Sequence, residues 1–206
     1  MYHLGMATAR AYRRLNVDER RRRLLDAGAK LFATHAYDEI SMRAIAKEAG
    51  ISKALLYHYF PSKTAFFKAA LQEAAAELER AIAPDPALPP IEQLTASLDA
   101  YLAWIEANGE TWRKVMQSAE ATEIVDGFRA ATLDRVASGL TGGRSAPPAL
   151  RVALQGWLGY LDRAILDWID RRDLSREQLR TLLISAFGGA LAAAHAVDPD
   201  LAIAVG

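Results

Sequence analysis

The sequence predicts an all-α protein, and three observations carry that prediction. Apolar residues recur at helical spacing along most of the chain. No stretch alternates apolar and polar residues for long enough to make a sheet strand. Serines and prolines stand where such helices would begin and end. At 206 residues the chain suits one large domain or two small ones, since a domain averages roughly 150 residues. Half of it (51%) is apolar, which supports a packed core and excludes an intrinsically disordered protein.

Nine helices follow in order. The first spans about 18–35 and stripes Leu24, Leu25, Gly28, Leu31 and Phe32 on one face, behind a charge run at Arg20–Arg23. A short helix opens at Ser41 as N-cap and turns Ile45 and Ala46 inward until Gly50 interrupts it. The third runs from Ser52 to Phe60, where Pro61 cannot continue it. Ser62 caps a fourth reaching about Ile82. Pro84, Pro86, Pro89 and Pro90 then break the chain, the last pair suiting the first turn of the next helix. Helices are expected over 90–107, 109–119 and 121–140, followed by a Gly- and Pro-rich loop over Thr141–Pro148. A long helix covers 148–171. Ser175 with Gln178 three residues on forms a capping box that opens the last, ending near Val197.

Charge divides the chain where its periodicity does not. Lys+Arg and Asp+Glu balance at 25 each, yet residues 1–63 hold 12 basic against 6 acidic side chains, leaving an acidic remainder. A basic segment on an acidic body suggests a polyanion-binding part joined to a part with another task. The absence of Cys excludes disulfides, thiolate catalysis and Cys-based zinc sites. The longest weakly apolar stretch, Leu182–Val197, is 16 residues, short of the roughly 18–20 a bilayer requires. Residues 1–16 read as a disordered arm carrying arginines, with Met6 an alternative start, and the whole as a soluble cytoplasmic protein without a membrane partner.

The most informative run is Ser41 to Lys63: a short helix, a tight turn at Gly50 and a second short helix. Gly50 can take the positive φ such a turn requires. Small Ala46 lets two helices cross closely, and Leu56 and Phe60, four apart, anchor the second helix. Ser52, Lys53, Tyr57 and His58 then share its exposed side. Hydroxyl, cationic and polar-aromatic groups on one face of a helix in a basic domain suit a helix-turn-helix reader of the DNA major groove.

Phe32, Tyr37, Ser41, Arg43, Ile45, Ala46, Ala49, Gly50, Ile51, Ser52, Leu56, Tyr57, Tyr59, Phe60, Ser62 and Lys63 together make the chain resemble the DNA-binding domain of the TetR family of transcriptional regulators. The resemblance is close over about residues 20–66. It implies a three-helix DNA-binding domain at 17–64 and a larger helical ligand-binding and dimerisation domain at 65–206. It places Ser41 and Arg43 at the start of helix 2 facing DNA, and Ser52, Lys53, Ala54 and Leu55 at the groove-facing start of the recognition helix. Tyr57, His58 and Lys63 would contact phosphates, which fixes register without reading sequence. Lys53 can reach guanine O6/N7, and Ala54 and Leu55 can pack on thymine methyls. Leu55 departs from the small polar residue many relatives carry.

Beyond residue 64 large aromatics dominate: Tyr101, Trp104, Trp112, Phe128, Trp157, Tyr160, Trp168 and Phe187. Such residues are most often core. The resemblance adds a small organic inducer in a cavity walled by Tyr101, Trp104, Trp112, Met116 and Phe128, with Gln117 or Glu120 as polar contacts. His195, in an Ala-rich helix, is expected in packing or an interface. The last two helices are expected to form a homodimer. There Gly188, Gly189, Ala190, Ala192, Ala193 and Ala194 would allow close approach, while Leu158, Leu161, Ile165, Leu183 and Leu191 would supply apolar area. Enzyme motifs are missing, the four His lack metal-ligand spacing, and nothing calls for a cofactor. The reading is a ligand-responsive repressor on a palindromic double-stranded operator, not an enzyme. Its rivals are a constitutive DNA-binding protein and a helical small-molecule carrier with a vestigial helix-turn-helix.

Overall fold

The computed structural model describes residues 19–32 and 34–203, and the arginine-bearing arm expected at 1–16 lies outside them. Among the described residues there are eight α-helices and no strand: α1 (19–32), α2 (Met42–Glu48), α3 (Lys53–Tyr59), α4 (Lys63–Ala81), α5 (Pro90–Gln117), α6 (Thr122–Thr141), α7 (Pro148–Arg171) and α8 (Arg176–Val197). Two single 3-10 turns, Tyr37–Glu39 and Ala119–Ala121, complete the elements. By contacts the chain separates into two units. One takes residues up to Ala76 together with Ser118–Ala121; the other takes Glu77–Gln117 and residues from Thr122 on.

The first unit is built around phenylalanines. Phe66, fully buried near the start of α4, meets Phe60 edge-on at 4.8 Å and Phe32 at 6.3 Å. Phe67 packs on Phe32 at 4.7 Å. Leu24 and Leu25 of α1, Ile45 and Ala46 of α2, and Leu56 of α3 are buried in the same unit. Gly28 is what allows α1 to lie against α4. A Cβ there would sit 2.1 Å from Cε1 of Phe66, far inside van der Waals contact.

In the second unit α7 and α8 form the most extensive helix pair, and α5 packs on α8. α7 buries Leu150, Leu154, Trp157, Leu158, Leu161, Ile165, Trp168 and Ile169, at steps of three and four residues, against Leu179, Leu183 and Phe187 of α8 and Leu98, Leu102 and Ile105 of α5. Core indoles are hydrogen-bonded: Trp157 Nε1 donates to the Leu183 carbonyl (3.0 Å) and Trp168 Nε1 to that of Leu174 (2.8 Å). Arg176 and Arg180 of α8 pair with Asp99 of α5, and Arg176 also with Glu106.

Three expectations change. The break expected between helices at 90–107 and 109–119 is present as a kink, with Asn108 out of helical geometry (φ −126°, ψ 16°); the two segments run on across it as α5, so eight elements stand where nine were expected. The Asn108 side chain donates to the Trp104 carbonyl at 2.9 Å, a side-chain bond into the helix ladder at the kink. Leu158, Leu161, Ile165, Leu183 and Ala194 do not supply surface for a partner, because the chain's own core has buried them. The apolar and small residues left facing outward on α7 and α8 are Val152, Gly156, Gly159, Tyr160, Leu182, Gly188, Gly189, Ala192, Ala193, Ala196 and Val197, among polar neighbours such as Arg151, Gln155, Arg163 and Ser185, with His195 also exposed. Finally, α8 has the bounds its capping box predicts, but its 22 residues, taken together, are long and apolar enough by composition to cross a membrane. Its inner face, Leu179, Leu183, Phe187 and Ala194, is buried in the unit's core.

Candidate nucleic-acid interface

Three serines start the three helices that carry the candidate contacts. Ser41 Oγ accepts from the Ala44 N–H (3.1 Å), Ser52 Oγ from Leu55 (3.2 Å) and Ser62 Oγ from Ala65 (3.0 Å). Each hydroxyl keeps its own proton available to a phosphate oxygen. Between α2 and α3 Gly50 adopts φ +66°, as the turn requires. Ile51 N–H returns to the Ala46 carbonyl (3.0 Å), which closes the turn.

Burial then decides which face of α3 is presented. Leu56 and Phe60 are buried, so Ser52, Lys53, Ala54, Tyr57 and His58 are left exposed, with Leu55 half-buried at the margin. Tyr57 is 43% exposed, high for a large aromatic. Lys53 and Tyr57 are one turn apart, and the Lys53 ammonium lies 5.6 Å from the Tyr57 ring centroid. Ser41 and Arg43 are exposed at the start of α2. Lys63 opens α4, with its ammonium 4.2 Å from the Tyr37 ring centroid. Arg21, within the Arg20–Arg23 run, lies over Phe60 at 5.4 Å. The unit therefore offers a helix face of short polar and aromatic groups beside several cations.

The residues expected to surround an inducer divide. Tyr101, Trp104, Trp112 and Met116 share α5, and Phe128 lies on α6. Trp112 is buried core, and its Nε1 donates to Tyr101 Oη at 2.8 Å across the bend at Asn108. Trp104, Met116 and Phe128 are half-buried. Of the two expected polar contacts, Gln117 is exposed at the end of α5, and Glu120, in the Ala119–Ala121 turn, accepts from Ser118 Oγ at 2.9 Å.

The polar group that does accompany Tyr101 went unnoticed in the sequence. Asp162 of α7 receives Arg129 of α6 through Nη2 (2.6 Å) and Nε (2.8 Å) on one oxygen, and Arg129 also reaches Asp126. Burial raises the Asp162 carboxyl above the usual aspartate value despite the guanidinium that favours its charge. Burial, followed by the nearby Asp162 charge, likewise pushes the Tyr101 phenol up, so it remains a neutral donor. No spacing rule could have found a pair 33 residues apart on two helices. Among the described residues no three His, Asp or Glu side chains gather as a metal site.

A family model described as bacterial regulatory proteins, tetR family, matches residues 24–70, and a tetracyclin repressor-like C-terminal domain model matches 90–189. Among curated relatives, the HTH-type transcriptional activator FasR of Mycolicibacterium smegmatis is 32% identical over 112 residues, covering 53% of this chain and 51% of that protein. The HTH-type transcriptional repressor KstR of Rhodococcus jostii is 44% identical over 62 residues, 30% of this chain and 28% of that one. The chain thus spans about half or less of these relatives. A crystal structure of a tetR-family transcriptional regulator from Streptomyces coelicolor superposes with a TM-score of 0.78 at 28% identity, covering 89% of this chain and 85% of the other. Matches to both halves, one continuous likeness in fold and a helix-turn-helix presented by burial make this chain a member of the TetR family of transcriptional regulators.

Proposed function

We propose that the protein is a ligand-responsive repressor that binds a palindromic double-stranded operator as a homodimer in the cytoplasm. The observation that carries the reading is the exposed face of α3, with Lys53, Ala54, Tyr57 and His58 outward while Leu56 and Phe60 hold the helix to the unit. Lys53, Ala54 and Leu55 read base edges; Ser41, Arg43, Ser52, Tyr57, His58 and Lys63 hold the backbone. A single module reads a short half-site, and a two-fold dimer doubles it. The outward stripe on α7 and α8 supports such a dimer, since four of its positions are glycines with nothing within 4 Å of an added Cβ. We propose domain limits at 17–64 and 65–206 as the sequence suggests, and an inducer site walled by Tyr101, Trp104, Met116 and Phe128, with Trp112 behind Tyr101. Its ligand is an apolar or amphipathic organic molecule, with Gln117 or Glu120 as polar contacts as the sequence suggests, and with the Tyr101 hydroxyl and the Asp162–Arg129 pair as further ones. FasR is an activator and KstR a repressor, so relatives support regulation of either sign.

The testing experiment is selection of bound fragments from genomic DNA, followed by anisotropy titration. A shared inverted repeat with half-site centres about one helical turn apart, or a small multiple of it, is expected. Binding without sequence preference would reject the operator reading. A thermal-shift screen of apolar metabolites tests the inducer. A true inducer at 100 times its Kd raises stability by about 2.7 kcal/mol and releases the operator, because the two ligands must weaken each other equally.

A further inference from the structure

We infer that Tyr37 is a positioning residue for Lys63, holding its ammonium in place for the DNA backbone before DNA arrives. The inference rests on the proposed phosphate contact of Lys63. Lys63 is the first residue of α4, and its Nζ lies 4.2 Å from the Tyr37 ring centroid, the tightest cation–ring approach among the described residues. The ring is itself fixed from two sides. Its centroid is 4.9 Å from that of Phe67, and its hydroxyl shares a 2.9 Å hydrogen bond with Thr64 Oγ1. Tyr37 sits in the 3-10 turn before α2, so one half-exposed aromatic ties that turn to the first residues of α4. A lysine has four rotatable bonds, and ordering it at the moment of binding offsets part of a phosphate contact. An ammonium already resting on a fixed ring loses less freedom, and an exposed cation–ring contact is worth about a two- to five-fold change in an equilibrium.

The test uses the full chain and a mixed-sequence duplex of about three helical turns, since a phosphate contact needs no operator. Tyr37→Leu should weaken binding about two- to five-fold per protomer and leave the slope of log K against log salt unchanged, because Lys63 still reaches DNA. Tyr37→Phe, which keeps the ring and loses the Thr64 bond, should bind as the wild type does. Lys63→Ala should lower the slope by about 0.9 per protomer, and in that background Tyr37→Leu should have no further effect. In the free protein, the Lys63 Hε resonances should be shifted upfield by the ring and return to ordinary values in Tyr37→Leu. An equal loss from Tyr37→Leu with or without Lys63 would assign Tyr37 a purely structural role and overturn the inference alone. Tighter binding by Tyr37→Leu would overturn it too, since the ring would then be withholding the ammonium. If Lys63→Ala changes neither affinity nor slope, the phosphate contact and the inference fall together.

Discussion

Replacing Gly28 by alanine sets two opposed effects against each other. Gly28 lies inside α1, where a glycine costs about 1 kcal/mol relative to alanine, so helix propensity alone favours the change. Packing opposes it. The new methyl carbon would fall 2.1 Å from Cε1 and 2.4 Å from Cζ of Phe66, more than 1 Å inside ordinary contact. Phe66 cannot swing aside, because it is fully buried between Phe60 at 4.8 Å and Phe32 at 6.3 Å. Overpacking of this kind costs about 1–3 kcal/mol, and two ring atoms struck at once put it at the upper end. The net expectation is a loss of about 1–2 kcal/mol, or a fall of roughly 2–8 °C in Tm for a protein of this size. Circular-dichroism melting reads it. Phe66→Leu should create a void alone but lose less than additively when combined with Gly28→Ala, as the methyl refills the space. DNA affinity should fall along with Tm, since Phe66 is three residues from Lys63. Gly28→Ala melting at or above the wild-type temperature would show that propensity outweighs packing and that α1 and α4 do not meet this closely.

Ser52→Ala should remove the cap of α3 at a cost of about 1 kcal/mol; Ser52→Asp should restore stability in the same urea titration yet weaken DNA binding, because it puts an anion against phosphate. Asp162 should titrate above the usual aspartate range in carboxyl-carbon NMR, and Arg129→Met should move it further up, since the guanidinium favours the ionised form. A folded-state value raised above the unfolded one means that this group's contribution to stability is greatest below about pH 3.9, the unfolded value, and declines as pH rises through its folded value; a fall on removing Arg129 would contradict the pairing. Gly189→Glu, at a position where an added Cβ meets nothing, should leave the fold intact but bury an unpaired carboxylate in a dimer formed through α7 and α8, and light scattering should then report a monomer.

Local chemistry was legible in the sequence, and packing between distant elements was not. Ser41, Ser52 and Ser62 cap the helices they precede, Gly50 takes positive φ, and Pro90 and Pro148 open theirs, because each effect acts within three or four residues. The exposed face of α3 followed from Leu56 and Phe60 alone. The break at Asn108 was legible too, and it takes the form of a kink, with the Asn108 side chain bonded to the carbonyl four residues back. The outer stripe of α7 and α8 was misread because Leu158, Leu161, Ile165 and Leu183 are as apolar as an interface would be, and only tertiary packing turns them inward. Tyr37 on Lys63, Arg21 on Phe60 and Arg129 on Asp162 join elements across gaps that no periodicity encodes.

The central claim, that the outward face of α3 and the start of α4 bind DNA with base reading and backbone holding divided between Lys53 and Lys63, is tested most directly by anisotropy titration of Lys53→Ala and Lys63→Ala against the selected operator and a scrambled duplex over a range of salt. The account predicts that Lys63→Ala weakens both duplexes by the same factor and lowers the salt slope by about 0.9 per protomer. Lys53→Ala should instead cut the preference for the operator, by about 1–3 kcal/mol where it bridges a guanine. Equal loss of preference in the two variants, or wild-type binding by both, would contradict it.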